Sequence, residues 1–284
     1  MRTDIQEVLR SEALTFLEAP RFSDDGALYF GDAIGHGFYR YTETKGIELI
    51  DPGAQSVGGC VLHQRGGVIF SCREGLKHYD PIIDQVKLLP LSMDGQPLMN
   101  INDIEADSKG NLFGGTLDSE AFENNRAPEP GFLFKVDGQG KAERLGYDVA
   151  ISNGIAFSLD GTAMYFSESG EGVFRYRMDE LGRVGDRQLW LDLEDSDGIA
   201  LDEEGGLWVA KYMHNSLAYY DPDGRLIQDI ETPMDNVASV VFGGAENREL
   251  FVVGGSLSSA GKGAVFKLVT DIPGLATYRA TIPL

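Results

Sequence analysis

Cysteine is almost missing from this chain. Cys60 and Cys72 are the only two among 284 residues, too few for a disulfide framework. Basic side chains are scarce as well: 24 Lys and Arg stand against 45 Asp and Glu, a formal charge of -21. A field of that sign repels phosphate backbones and anionic lipid, which argues against nucleic-acid and membrane-surface roles. No apolar run approaches the length needed to cross a bilayer, and the opening "MRTDIQEVLRSEALTF" lacks the apolar core of a signal peptide. A reduced, cytoplasmic protein is the expectation. Helical periodicity is nearly absent. Also absent are a G-x-S-x-G elbow, a P-loop and His/Cys groupings with zinc spacing, so serine catalysis, phosphate cradling and structural zinc have no support.

Glycine is what the chain has in plenty, 36 residues spread along its length. Polar turn pairs recur at Asp25-Gly26, Arg65-Gly66, Lys109-Gly110, Asp160-Gly161, Glu204-Gly205 and Glu246-Asn247, at intervals of 40, 44, 51, 44 and 42 residues. A similar strand follows each turn: "ALYFGD", "GVIFSC", "NLFGGT", "TAMYFSES", "GLWVAK", "ELFVVGG". Six units of this length, each with about four strands, predict a single all-β domain over 1–284, a six-bladed β-propeller with four-stranded antiparallel blades. One such sheet cannot bury both faces alone, so the blades stack in a ring around a channel.

The innermost strand of each blade should line that channel. Eight residues before the second turn position stand Glu18, Asn102, Asn153 and Asp197 in four of the blades, with Gly58 and Ser239 in the other two. The bland explanation is that Asx-Gly pairs are turn dipeptides in any β-repeat. Four oxygen-bearing side chains at one offset on separate blades favour convergence on one axis instead. Two carboxylates and two amides form an all-oxygen nest suited to one hard divalent cation. Calcium comes first, and magnesium, manganese, iron(II) or zinc also accept such ligands.

The segments "LEAPRFSDDGALYFGD", "NINDIEADSKGNLFGGT", "ISNGIAFSLDGTAMYFSES", "SDGIALDEEGGLWVA" and "NVASVVFGGAENRELFVV" also carry a resemblance. The chain resembles the gluconolactonase, senescence marker protein and luciferin-regenerating enzyme family over about Ala13 to Leu268. That likeness implies a six-bladed propeller with one divalent metal in its channel. It implies Glu18, Asn153 and Asp197 as ligands, Asn102 as a fourth or water-bridged ligand, and Asp197 as general base. Three positions depart from the family pattern: Ala19 replaces a common Gly, Glu168 a frequent Asp, and Asn100 an arginine that contacts substrate in sugar-lactonases.

The chemistry expected at the axis is lactone opening. A cation polarises the carbonyl and lowers the pKa of water, and Asp197 takes the water's proton. Loops after the second strands should ring the pocket, which makes His36, Arg73, Asp118, Glu168, Tyr212 and His214, with Asn102, the candidate substrate contacts. Arg73 is placed to take over carboxylate recognition from the absent arginine. The long loop 117–132 is either a lid or decoration. A phosphotriester-type hydrolase and a non-enzymatic calcium-binding propeller are the alternatives. A monomer acting on a small lactone is the expectation.

Overall fold

The recurring turn residues sit in the left-handed backbone region that favours glycine. In the computed structural model, φ is 80° at Gly26, 96° at Gly66, 81° at Gly110, 68° at Gly161 and 83° at Gly205, with Asn247 at 53°. Each closes a hairpin between the first two strands of a sheet. Residues 4–284 are described, apart from the side chain of Tyr147. Met1 to Thr3 of the opening stretch lie outside them.

Six four-stranded antiparallel sheets result, with one two-stranded ribbon at Ser92–Met93 and Gln96–Pro97. The first blade runs outward through Leu17–Phe22, Leu28–Asp32, Phe38–Thr42 and Gly46–Asp51. The first strands of successive blades are Leu17–Phe22, Cys60–Leu62, Ile101–Ala106, Ser152–Phe157, Ser196–Leu201 and Asn236–Gly243. Each touches its neighbours, and the last touches the first, so they close a ring. This is a six-bladed β-propeller.

The blades adhere through apolar clusters that span neighbouring sheets. One joins Trp208, Leu217 and Tyr219 of the fifth blade to Val240, Phe242 and Phe266 of the sixth. Trp208 is fully buried, and burial of a side chain of that size stabilises by a few kcal/mol.

Two features went unforeseen. The sixth blade takes its outermost strand from the other end of the chain, where Gln6–Arg10 pairs antiparallel with Ala264–Val269. That pairing fastens the ring and covers an otherwise open sheet edge. The C-terminal segment then crosses the mouth where the inner-strand turns lie. Ala280 bridges to His63, Gly274 to Asp202, and Thr281 N–H donates to Gly110 O at 2.9 Å. The opposite mouth stays open, and the inner strands begin there.

Candidate metal centre

Inner strands begin with an interruption in their ladders. In the third, fourth and fifth blades the register skips between Ile101 and Ile104, Ser152 and Ile155, and Ser196 and Ile199. Each skip sets three inner-strand steps against two on the partner. Asn102–Asp103, Asn153–Gly154 and Asp197–Gly198 therefore stand outside the regular pairing. Such bulges re-aim side chains and are common beside functional sites. In the first blade the skip follows Glu18, and Ala19 adopts φ 56°, the left-handed conformation that favours the glycine it replaces.

Glu18, Asn102, Asn153 and Asp197 line one cavity of about 600 Å³ at the open mouth. The two blades without a donor also have a physical account. A Cβ built on Gly58 would lie 2.0 Å from Asn102 Oδ1, so glycine there makes room for the amide. Ser239 packs on the fifth blade instead, where a Cβ on Gly198 would meet its Oγ at 2.1 Å.

The amides are held by their nitrogens. Asn102 Nδ2 donates to Ser152 O at 2.6 Å and to Asn153 Oδ1 at 2.9 Å, and Asn153 Nδ2 donates to Ser169 Oγ at 2.6 Å. Ser169 Oγ in turn donates to Ser196 O at 2.5 Å. Both nitrogens are thus spent on protein acceptors. Among the described residues nothing donates to Asn102 Oδ1, and Asn153 Oδ1 keeps a lone pair beyond its bond from Asn102.

The carboxylates have less relief: one backbone N–H each, of Ala19 for Glu18 and of Gly198 for Asp197. Burial, then Asp197, then Asp103 push the pKa of Glu18 well above its ordinary value. Burial first and Asp103 second do the same to Asp197. Asp103 itself is pushed up to about 7 by burial and by Glu105. Deeper in the channel, Glu105 is paired with Arg21 at 2.7 Å, and Arg21 Nε donates to Cys60 O at 2.6 Å. Among the described residues, no lysine or arginine lines the cavity itself.

This donor set suits a hard cation: two carboxylates in want of countercharge and two amide oxygens, fixed by separate strands. Among the described residues, no group of three or more His, Cys, Asp or Glu side chains is arranged to hold a metal. The amides are what distinguish this centre from a carboxylate or imidazole site.

The remaining expected contacts divide. His36 and Tyr212 line the cavity, and His36 Nδ1 is buried without a partner. Arg73, Asp118, Glu168 and His214 are not part of its wall, each being held by a local partner. Arg73 is paired with Glu123 and donates to Ser56 Oγ at 3.3 Å. Asp118 accepts from both Arg126 nitrogens, at 2.6 and 2.9 Å, and braces the long loop. Glu168 is buried against Arg187 at 2.9 Å and accepts from Ala150 N at 3.1 Å. His214 is paired with Asp195.

Several lining residues were not foreseen. Ser169 follows the second strand of the fourth blade directly, next to Glu168. Leu117, Ser119, Phe122 and Glu123 come from the long loop, whose segment Ser119–Glu123 is a short helix over the cavity. Asp103 was also missed, although "NIND" puts an acid where "SNG" and "SDG" have glycine.

Fold and site together define a six-bladed β-propeller with an oxygen-lined centre at one mouth of its channel. The chain belongs to the family described as the SMP-30/Gluconolactonase/LRE-like region, whose model matches residues 16–256. It is 28% identical over 263 residues to a 6-deoxy-6-sulfogluconolactonase of Pseudomonas putida, covering 88% of this chain and 89% of that one. It is 26% identical over 279 residues to a pentonolactonase of Haloferax volcanii, covering 92% of each. A calcium-binding regucalcin of Agrobacterium tumefaciens superposes with TM-score 0.81 over 98% of both chains, at 21% identity, a likeness of fold alone. No helix among the described residues is long and apolar enough to cross a membrane.

Proposed function

We propose that this protein is a divalent-metal-dependent hydrolase that opens a lactone, with Asp197 as general base. One observation carries the reading: Glu18, Asn102, Asn153 and Asp197, from four blades, line a single cavity. The lactonases among its relatives match over nearly the whole chain, which supports the reaction class.

Glu18, Asn153 and Asp197 would hold the cation, with Asn102 as the fourth oxygen. When bound, the cation supplies Lewis-acid polarisation of the carbonyl and a lower pKa for water. The chain's own residues do the rest. Asn102 fixes the rotamer of Asn153 through the bond to its Oδ1, and Ser169 holds that amide from the other side. Asp197 accepts the proton of the attacking water and returns it to the ring oxygen as the acyl C–O bond breaks. One water is consumed and one hydroxy acid is released. Burial pushes the Asp197 pKa up in the cation-free protein, and a bound cation would offset that and hold the carboxylate ionised, as a base must be.

The test is Asp197→Asn, which keeps shape and loses the base. Turnover of a lactone, followed as acid release, should fall roughly 10²–10⁴-fold. Chelation should abolish turnover in the unaltered protein, and added divalent metal should restore it. Full activity in Asp197→Asn removes the base assignment, and full activity after exhaustive chelation removes the metal.

A further inference from the structure

The cavity wall above the donor set is apolar. Phe16, Ile34, Leu117, Phe122, Ile151 and Leu257 form it, contributed by the N-terminal segment, four loops and the short helix. Three of them stay accessible, with Ile34 43%, Leu257 44% and Phe122 52% exposed. Large apolar side chains ringing a site are desolvated when something apolar settles against them. Scattered apolar surface is ordinary, but these residues share one cavity.

The polar part of the wall is equally selective. Its carboxylates are Glu18, Asp197 and Glu123, and among the described residues no lysine or arginine lines it. The guanidinium of Arg73 is paired with Glu123 and donates to Ser56 Oγ, both of which line the cavity. Asn100, where the family resemblance would place a substrate-contacting arginine, is exposed, with φ 53°. A sulfonate, phosphate or carboxylate on the substrate would enter a negative field with no cation from the chain to meet it. The amide and hydroxyl groups beside the donors are already bonded to one another. Elsewhere on the wall His36 Nδ1 and Ser119 Oγ are buried without a partner among the described residues, so the several hydroxyls of a sugar lactone would lose water there for few free groups.

We infer that the substrate is an uncharged lactone whose ring carries an alkyl or aryl substituent, seated against this apolar wall. The inference rests on the lactone-opening reading above and departs from the sugar lactones in its relatives' names. The volume, about 600 Å³, lies within the range that encloses a ring with such a substituent.

The experiment compares kcat/KM for γ-butyrolactone, γ-nonalactone, dihydrocoumarin, glucono-δ-lactone and 6-deoxy-6-sulfogluconolactone, with the metal that gives the highest turnover. Lengthening the alkyl chain should raise kcat/KM by up to roughly fourfold per methylene. γ-Nonalactone should exceed both sugar lactones by at least about tenfold. Phe122→Ser, and independently Leu257→Ser, should shrink the nonalactone-to-butyrolactone ratio several-fold. Equal or faster opening of either sugar lactone overturns the inference while leaving lactone hydrolysis standing. A nonalactone-to-butyrolactone ratio unmoved by both variants also overturns it. No turnover of any lactone with any divalent cation overturns the hydrolytic reading itself.

Discussion

Gly58→Ala probes the centre without touching a donor. The added Cβ would lie 2.0 Å from Asn102 Oδ1, 2.8 Å from its Cγ and 3.0 Å from its backbone carbon, so the Asn102 amide must leave its place. Its two bonds, to Ser152 O and Asn153 Oδ1, go with it. Two hydrogen bonds at about 1 kcal/mol each, with about 1–2 kcal/mol of overpacking, give a loss of roughly 3–4 kcal/mol. In a chain of this size each kcal/mol is worth about 2–4 °C, so Tm should fall by roughly 6–16 °C. Thermal unfolding reads that fall, and lactone turnover should drop with it, because Asn153 loses the donor that orients its oxygen. Gly26→Ala is the control: its Cβ meets nothing within 4 Å, and its φ of 80° carries only a backbone cost of about 1–2 kcal/mol. It should lose some stability and keep its turnover. A Gly58→Ala protein with unaltered Tm and turnover would refute the packing of glycine against amide.

Two other perturbations probe the channel beneath the centre and the mouth opposite it. Arg21→Met leaves the mostly buried Glu105 without its ion-pair partner, so unfolding should show a loss of up to about 3–5 kcal/mol, whereas an unchanged Tm would mean the pair contributes nothing. His63 is buried, its Nε2 lies 3.0 Å from Ile282 O, and Arg65 N donates to its Nδ1, so the folded ring is neutral and its pKa is lowered by burial. Its contribution is fully present above the unfolded value of about 6.5 and is lost as pH falls below that, where the unfolded chain binds the extra proton. The Tm advantage over His63→Gln should therefore shrink between about pH 7.5 and about pH 5.5. An advantage that holds constant contradicts the assignment.

The ring of blades was legible because its turns need residues that tolerate positive φ, and Gly26, Gly66, Gly110, Gly161, Gly205 and Asn247 announce them. The strand that fastens the ring was not. Gln6–Arg10 is short and mostly exposed, and its partner lies more than 250 residues away, so nothing local distinguishes it from a tail. At the centre, the constant offset of the four oxygen-bearing residues reflects inner strands that all begin at the same mouth, three of them with the donor in a bulge at the same place. Substrate contacts were harder to read because loop topology puts a residue near the mouth without setting its direction. Arg73, Asp118 and Glu168 each turn to an opposite charge, and His214 to the carboxylate of Asp195. The apolar wall comes largely from loop residues without a periodic pattern.

Calorimetric titration of the chelator-treated protein with a divalent cation bears most directly on the idea of one ion shared by four blades. One site per chain should appear, weaker at about pH 5 than at about pH 7.5, because protons compete for the buried carboxylates of Glu18 and Asp197. Glu18→Gln and Asn153→Ala, on different blades, should each weaken it at least about tenfold. Absence of binding by calcium, magnesium, manganese, iron(II) and zinc, or affinity unchanged in both variants, would contradict the account.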